Sequence, residues 1–226
     1  MNLYIAGANE RKRNIGWQLY EELRRENRTT SIIQRDGAQY PKKLRDNPRG
    51  QSALICCIGM LKPEKIGESA MLTFLTEMVE SNLVSPISLT NYYLKCDPAK
   101  VRRVILLSSM AASKIISGYS IYTACKAGLN AFVKTAAHEM AVDGRTKIWS
   151  IAPGTVEGTP IHRQSLERTM QRDGVARLDA DVQLHRTFPN QEMVQMKSIL
   201  EVVRFCLSGK ADQMSGHCFE IANCQR

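Results

Sequence analysis

Tyr122 and Lys126 stand four residues apart in the run Tyr-Thr-Ala-Cys-Lys. On a helix that spacing puts both side chains on one face. A phenol beside an ammonium is a proton-transfer pair, because the positive charge favours the phenolate and draws the tyrosine pKa from about 10 toward neutrality. Such a tyrosine can give or take a proton at a substrate oxygen. Ser109 lies thirteen residues upstream, just past the apolar run Val101 to Leu107. A serine at the end of a buried strand faces the crevice where parallel sheets bind ligands. Tyr-x-x-x-Lys alone occurs by chance in many helices, so its weight comes from the elements around it.

Those elements alternate. Asn2 to Ala6 reads as a short apolar strand, Gly7 to Gly16 as a glycine-containing turn, and Ile15 to Glu26 as a helix with Leu19, Tyr20 and Leu23 on one face. Thr30 to Gln34 is β-branched and strand-like. Gly37 to Gly50, with two prolines and many charges, reads as a loop. Ala53 to Ile58 and Val101 to Leu107 read as buried strands, with helical patterns around Glu68 to Glu80 and Asn82 to Lys95 between them. Ile121 to Val142 is a long amphipathic helix. A strand over Lys147 to Ala152, a polar stretch of little pattern to about Asn190, a helix over Gln191 to Ser208 and a strand over Cys218 to Ala222 complete the chain. This order predicts an α/β fold of the Rossmann type, a doubly wound parallel sheet in a single domain over 1–226.

Composition bounds the function. The 226 residues, 43% hydrophobic and 23% charged, suit one globular domain. No run approaches 18 apolar residues, which argues against a membrane span. The N-terminal run lacks the regions of a secretory signal, so a cytoplasmic protein is expected. Seven cysteines without ligand spacing argue against structural zinc and a disulfide framework. The net charge of +9 is spread over short clusters such as Arg11-Lys12-Arg13 and Arg102-Arg103. With no basic tail and no interleaved aromatics, it reads as solvated surface rather than a nucleic-acid interface.

The string from Val104 through Leu129, VILLSSMAASKIISGYSIYTACKAGL, resembles the short-chain dehydrogenase/reductase family. The resemblance implies a hydride transfer between a nicotinamide cofactor and the carbonyl or alcohol of a small-molecule substrate. It makes Tyr122 the acid or base, sets Ser109 on the substrate oxygen, and gives Lys126 the nicotinamide ribose as well as the tyrosine pKa. Asn82 resembles the asparagine that holds a water in the family's proton relay, one residue closer to the serine than usual. Pro153, Gly154 and Val156 resemble the segment that touches the nicotinamide, and Thr159 the threonine that binds its carboxamide, one residue late. Gly59 closes Cys56-Cys57-Ile58-Gly59, where the family has Asn-Asn-Ala-Gly. The segment from Thr159 to about Asn190 is expected to cover the substrate, and its histidines and arginines suit either an acidic substrate or a solvated lid. A homodimer or homotetramer is expected through the helices near Asn82 and Ile121.

The phosphate loop departs from the family pattern. Gly7, Asn9, Arg11, Arg13, Asn14, Ile15 and Gly16 are its expected cofactor contacts, but the loop is long and Asn14 replaces the middle glycine. Asparagine tolerates left-handed backbone, which would preserve the turn. The long loop is similar to that of the enoyl-acyl-carrier-protein reductases, a branch of the family, while the Tyr122–Lys126 spacing follows the main branch. Arg35, after the second strand, favours the 2′-phosphate of NADP over NAD, with Asp36 beside it as counter-evidence. Asp36 to Ser52 is too short for a strand and a crossover helix, so the outer βα unit is expected to be missing or reduced. Two readings follow: an active NADP(H)-dependent oxidoreductase, or a non-catalytic binding or regulatory protein on the same fold.

Overall fold

The computed structural model describes residues 1–26, 29–33, 50–62, 72–97, 99–186 and 192–222. Six strands form one sheet: β1 (Asn2–Ala6), β2 (Thr29–Ile33), β3 (Gln51–Cys56), β4 (Val101–Leu107), β5 (Thr146–Pro153) and β6 (Cys218–Ile221). Their spatial order is β2-β1-β3-β4-β5-β6 and every pairing is parallel. The chain runs outward from β1 to β2, then returns to place β3 on the other side of β1. That reversal is the switch point at which such sheets bind ligands, beyond the carboxyl ends of the strands.

Both faces of the sheet are buried, and the two-residue period of the strands sorts their side chains between them. Leu3, Ile5, Ala53, Ile55, Ile105, Leu107, Trp149 and Ile151 form one face. They pack against α1 (Ile15–Arg25) and α7 (Met196–Leu207) through Leu19, Leu23, Ile199 and Val203. Tyr4, Ala6, Leu54, Cys56, Val104, Leu106 and Ile148 form the other face. They meet α3 (Ser85–Cys96) and α4 (Ser120–Met140) through Leu89, Tyr93, Leu129 and Val133. Leu129 is core, while Leu83, Ile87 and Phe132 are partly buried at its margin.

The helix expected at 68–80 is α2 (Leu72–Val79), and residues 68–71 lie outside the described ones. A π-helical turn, Glu80–Val84, joins it to α3. The stretch after Pro153-Gly154 is not patternless: it forms α5 (Pro160–Asp173) and α6 (Arg177–Arg186). Their apolar pattern is faint because they bury few residues, namely His162 and Leu166 on α5 and Ala180 on α6. The end signals are nonetheless in the sequence. Thr159 caps α5 ahead of Pro160, and Gly174, at φ +64°, closes it. Segment 34–49, where the outer βα unit is expected to be reduced, lies outside the described residues, and β2 is an edge strand among them.

Arg102 and Arg103 are not free surface charges. They alternate along β4. Arg102 donates to the Leu94 carbonyl at 2.8 Å and pairs with Asp143 at 2.9 Å. Arg103 is buried and grips both oxygens of Asp212 at 3.0 and 3.2 Å, tying β4 to the turn before β6. A buried guanidinium robbed of its carboxylate keeps its desolvation cost without the compensating attraction. Asp212→Ala is therefore expected to lose about 2–3 kcal/mol of stability in urea unfolding, and a loss under about 1 kcal/mol would show that water replaces the carboxylate.

Candidate active site

The carboxyl ends of β3, β4 and β5, with the start of α1, open on one crevice. Gly59, Ser109, Tyr122, Lys126, Pro153, Gly154, Val156, Thr159 and Ile15 all line it. Residues scattered through the sequence converge because parallel strands end on the same side of the sheet.

The helix α4 places Tyr122 and Lys126 on one buried face. Their electrostatics differ from the sequence expectation. Burial pushes the Tyr122 phenol up to about 12, and the Ser109 hydroxyl draws it partly back. Lys126 does not lower it: its ammonium donates to the Leu107 carbonyl at 3.0 Å and lies 5.6 Å from the centroid of the Tyr122 ring. Desolvation instead pulls Lys126 down to about 8, countered partly by the thiols of Cys56, Cys125 and Cys57. Tyr122 is thus a protonated phenol at neutral pH. Ser109 begins the 3₁₀ turn Met110–Ala112 and accepts from the Ala111 amide at 3.2 Å.

Asn82 sits in the π-helical turn, an irregularity that recurs at functional sites. Its side chain brackets Met60, donating to that carbonyl at 2.9 Å and accepting from that amide at 3.1 Å, and donates to the Met78 carbonyl at 3.0 Å. Both amide hydrogens are thereby engaged, which leaves only spare acceptor capacity on Oδ1 for a water. A Cβ at Gly59 would stand 2.9 Å from Asn82 Oδ1 and 3.1 Å from Lys126 Nζ, so the missing side chain is what lets these groups share the space.

In the loop after β1 Arg13, at φ 45°, takes the left-handed conformation. Asn14 is extended and works by side chain instead. It accepts from the Asn9 and Trp17 amides at 3.0 Å each and donates to the Gly7 carbonyl at 2.7 Å. A capping asparagine thus pins the lengthened loop where the family pattern uses a glycine. Gly7, at φ +77°, and Gly16 pack too closely for a side chain, with added Cβ atoms 2.6 Å from the Cys57 backbone and 3.0 Å from that of Ala8. Arg11, Lys12 and Arg13 are exposed, and Arg13 faces Glu21 at 3.7 Å. Arg35 lies outside the described residues. Thr159 spends its hydroxyl on the Val156 carbonyl, at 2.7 Å, and on capping α5. Cys56 and Cys57 are no nucleophiles, for burial pushes both thiols up, Cys56 to about 11.

Sequence reasoning missed Lys114 and Tyr119 of the crevice, while Ser165 and Arg168 fall in the segment expected to cover the substrate. Lys114, Tyr119 and Ser165 line the crevice, and Arg168 reaches its rim by donating to the Tyr119 hydroxyl at 3.3 Å. Only the fold of the 110–119 loop against α5 reveals Lys114 and Tyr119, since nothing in their spacing marks a site.

A family model described as enoyl-(acyl carrier protein) reductase matches residues 39–222. Solved structures share the architecture. A short-chain dehydrogenase family protein from Francisella tularensis is similar at a TM-score of 0.80 and 20% identity, over 99% of this chain and 98% of that one. Sorbitol-6-phosphate 2-dehydrogenase from Erwinia amylovora is similar at 0.81 and 18% identity, over 99% of each chain. A variant of actinorhodin polyketide ketoreductase with NADPH is similar at 0.80 and 17% identity, over 99% of this chain and 96% of that one. The chain belongs to the short-chain dehydrogenase/reductase family of oxidoreductases.

Two outcomes test this local physics. Asn14→Ala removes the loop's three side-chain bonds and is expected to cost about 1–2 kcal/mol by denaturant unfolding. Lys126→Met is expected to stabilise the protein by about 2 kcal/mol at pH 7, net of the bond lost to Leu107. The folded pKa of about 8 lies below the unfolded value of 10.5, so the penalty of burying the charge is full below pH 8 and gone above 10.5. Melting curves of the two proteins should therefore approach and cross as pH rises through that window, the bond to Leu107 being the difference that remains.

Proposed function

We propose that this chain is an NADP(H)-dependent oxidoreductase acting on the carbonyl or alcohol of a small molecule, with Tyr122 as general acid and base. The observation that supports it most is the meeting of Ser109, Tyr122 and Lys126 in one crevice that also receives the start of α1. NADP(H), when bound, supplies or takes the hydride. The residues present fit such a cofactor. The first amides of α1, at Ile15 and Gly16, have no intrahelical partner and suit a pyrophosphate. The buried Lys126 ammonium has three hydrogens and one acceptor, Leu107, among the described residues, which leaves donors for ribose hydroxyls. Pro153, Gly154 and Val156 then wall the nicotinamide, and Asn82 supports the proton relay.

In the reducing direction Ser109 holds the substrate carbonyl oxygen and Tyr122 donates its proton there as the carbonyl carbon gains the hydride. The protonated phenol is the form that makes that donation. Lys126 replenishes the proton. Arg11, Lys12 and Arg13 support NADP over NAD, because an exposed basic loop beside the adenosine end favours a 2′-phosphate.

Tyr122→Phe is expected to lower turnover by about three orders of magnitude, with NADPH affinity, read by nicotinamide fluorescence, changed less than about threefold. NADPH is expected to bind at least about tenfold tighter than NADH. Unchanged turnover in Tyr122→Phe overturns the role of the phenol. Failure to bind either nucleotide at millimolar concentration would instead establish the non-catalytic reading.

A further inference from the structure

The proton-transfer groups leave one cation of the crevice without a task. Lys114 lies in the loop between β4 and α4 and lines the crevice together with Tyr119 and Tyr122. Its ammonium nitrogen is buried and has no hydrogen-bond partner among the described residues. Glu220 is the carboxylate that acts on it, without closing to an ion pair, and that carboxylate accepts the Ser113 hydroxyl at 3.3 Å. Desolvation pulls the Lys114 pKa down, as expected for an ammonium short of acceptors.

A second cation stands at the rim. The Arg168 guanidinium lies 5.4 Å from the centre of the Tyr119 ring and donates to its hydroxyl. Tyr119 in turn meets Tyr122 edge-on at 6.2 Å. The remaining wall is largely apolar, with Leu61, Met110 and Ile116 typical of it, and the described lining includes no aspartate or glutamate. Lys126 is the only other charged group in that lining, and its partner is the Leu107 carbonyl. An unpaired ammonium out of water is costly unless something brings it a countercharge. Among the described residues Glu220 acts on Lys114 only from a distance and closes no ion pair with it, and the crevice is where a ligand enters.

We propose that the substrate carries an anionic group, a carboxylate or a phosphate monoester, on an apolar carbon skeleton, and that Lys114 takes that group while Arg168 borders it. This rests on the reading of the crevice as the substrate site. A charge-assisted bond to a desolvated ammonium discriminates an anion from its neutral counterpart by tenfold or more, whereas a solvated surface lysine does not.

The test is calorimetric titration of the whole protein with hexanoate, hexyl phosphate and hexanamide, with and without NADPH. At least one anion is expected to bind about tenfold or more tighter than the amide, and the tighter of the two names the substrate's anionic group. Lys114→Met should reduce the preference to within about threefold, and Lys114→Arg should keep most of it. Equal binding of all three probes, or a preference that survives in Lys114→Met, overturns the proposal. The probes are read by binding and not by turnover. Loss of NADPH binding therefore counts against the oxidoreductase reading, and loss of anion preference counts against this one.

Discussion

The burial of one ammonium organises the site. Lys126 is brought into the sheet's crevice by α4 and held on the last carbonyl of β4, at Leu107. A charge so placed has lost most of its water and gained one strong acceptor, and the deficit shows in its depressed pKa. The surroundings are arranged around it. Gly59 has no side chain to intrude, Asn82 is fixed beside it by the Met60 backbone, and the Tyr122 ring covers one flank. Stability given up at such a position is an ordinary feature of sites that must offer unmet hydrogen bonds to a ligand.

The parallel sheet makes this arrangement possible. Its strands end together, so serine, glycine and proline residues far apart in the chain meet at one edge. The same edge receives the start of α1 at Ile15. The glycine loop reaches its shape by an uncommon route. Asn14 replaces glycine by tying three backbone groups with its side chain, and the left-handed turn moves to Arg13. Loop length and side-chain bonding compensate one another here.

Helix α5 borders the crevice, carries α6 on its flank and is joined to the loop after β1. Arg163 donates to the Lys12 carbonyl at 3.2 Å and to the Gly158 carbonyl at 3.2 Å, so the start of α5 and the loop share one guanidinium. His162 accepts from the Gly158 amide at 3.0 Å and faces Asp181 of α6 at 3.6 Å. These polar contacts do for the pair what apolar burial does for α1 and α7.

The strands, the long helix α4 and the Tyr122–Lys126 face were legible in the amino-acid sequence, because period-2 and period-3.6 patterns survive wherever a face is buried. The Rossmann-type order followed from them, and Ser109 was found because a strand end is a sequence feature. Helices α5 and α6 were not legible as helices. They bury too few residues to print a pattern, although Thr159, Pro160 and Gly174 marked the ends of the first. Charge could not be read either: Arg103 looked like surface and is buried on Asp212, while nothing in the sequence marked Lys114, which lines the crevice. The sequence by itself decided which residues could do proton chemistry and on which faces they lie. Only the tertiary structure decided their protonation, because a pKa depends on the water excluded and the partners met, and both are set by segments distant in the chain.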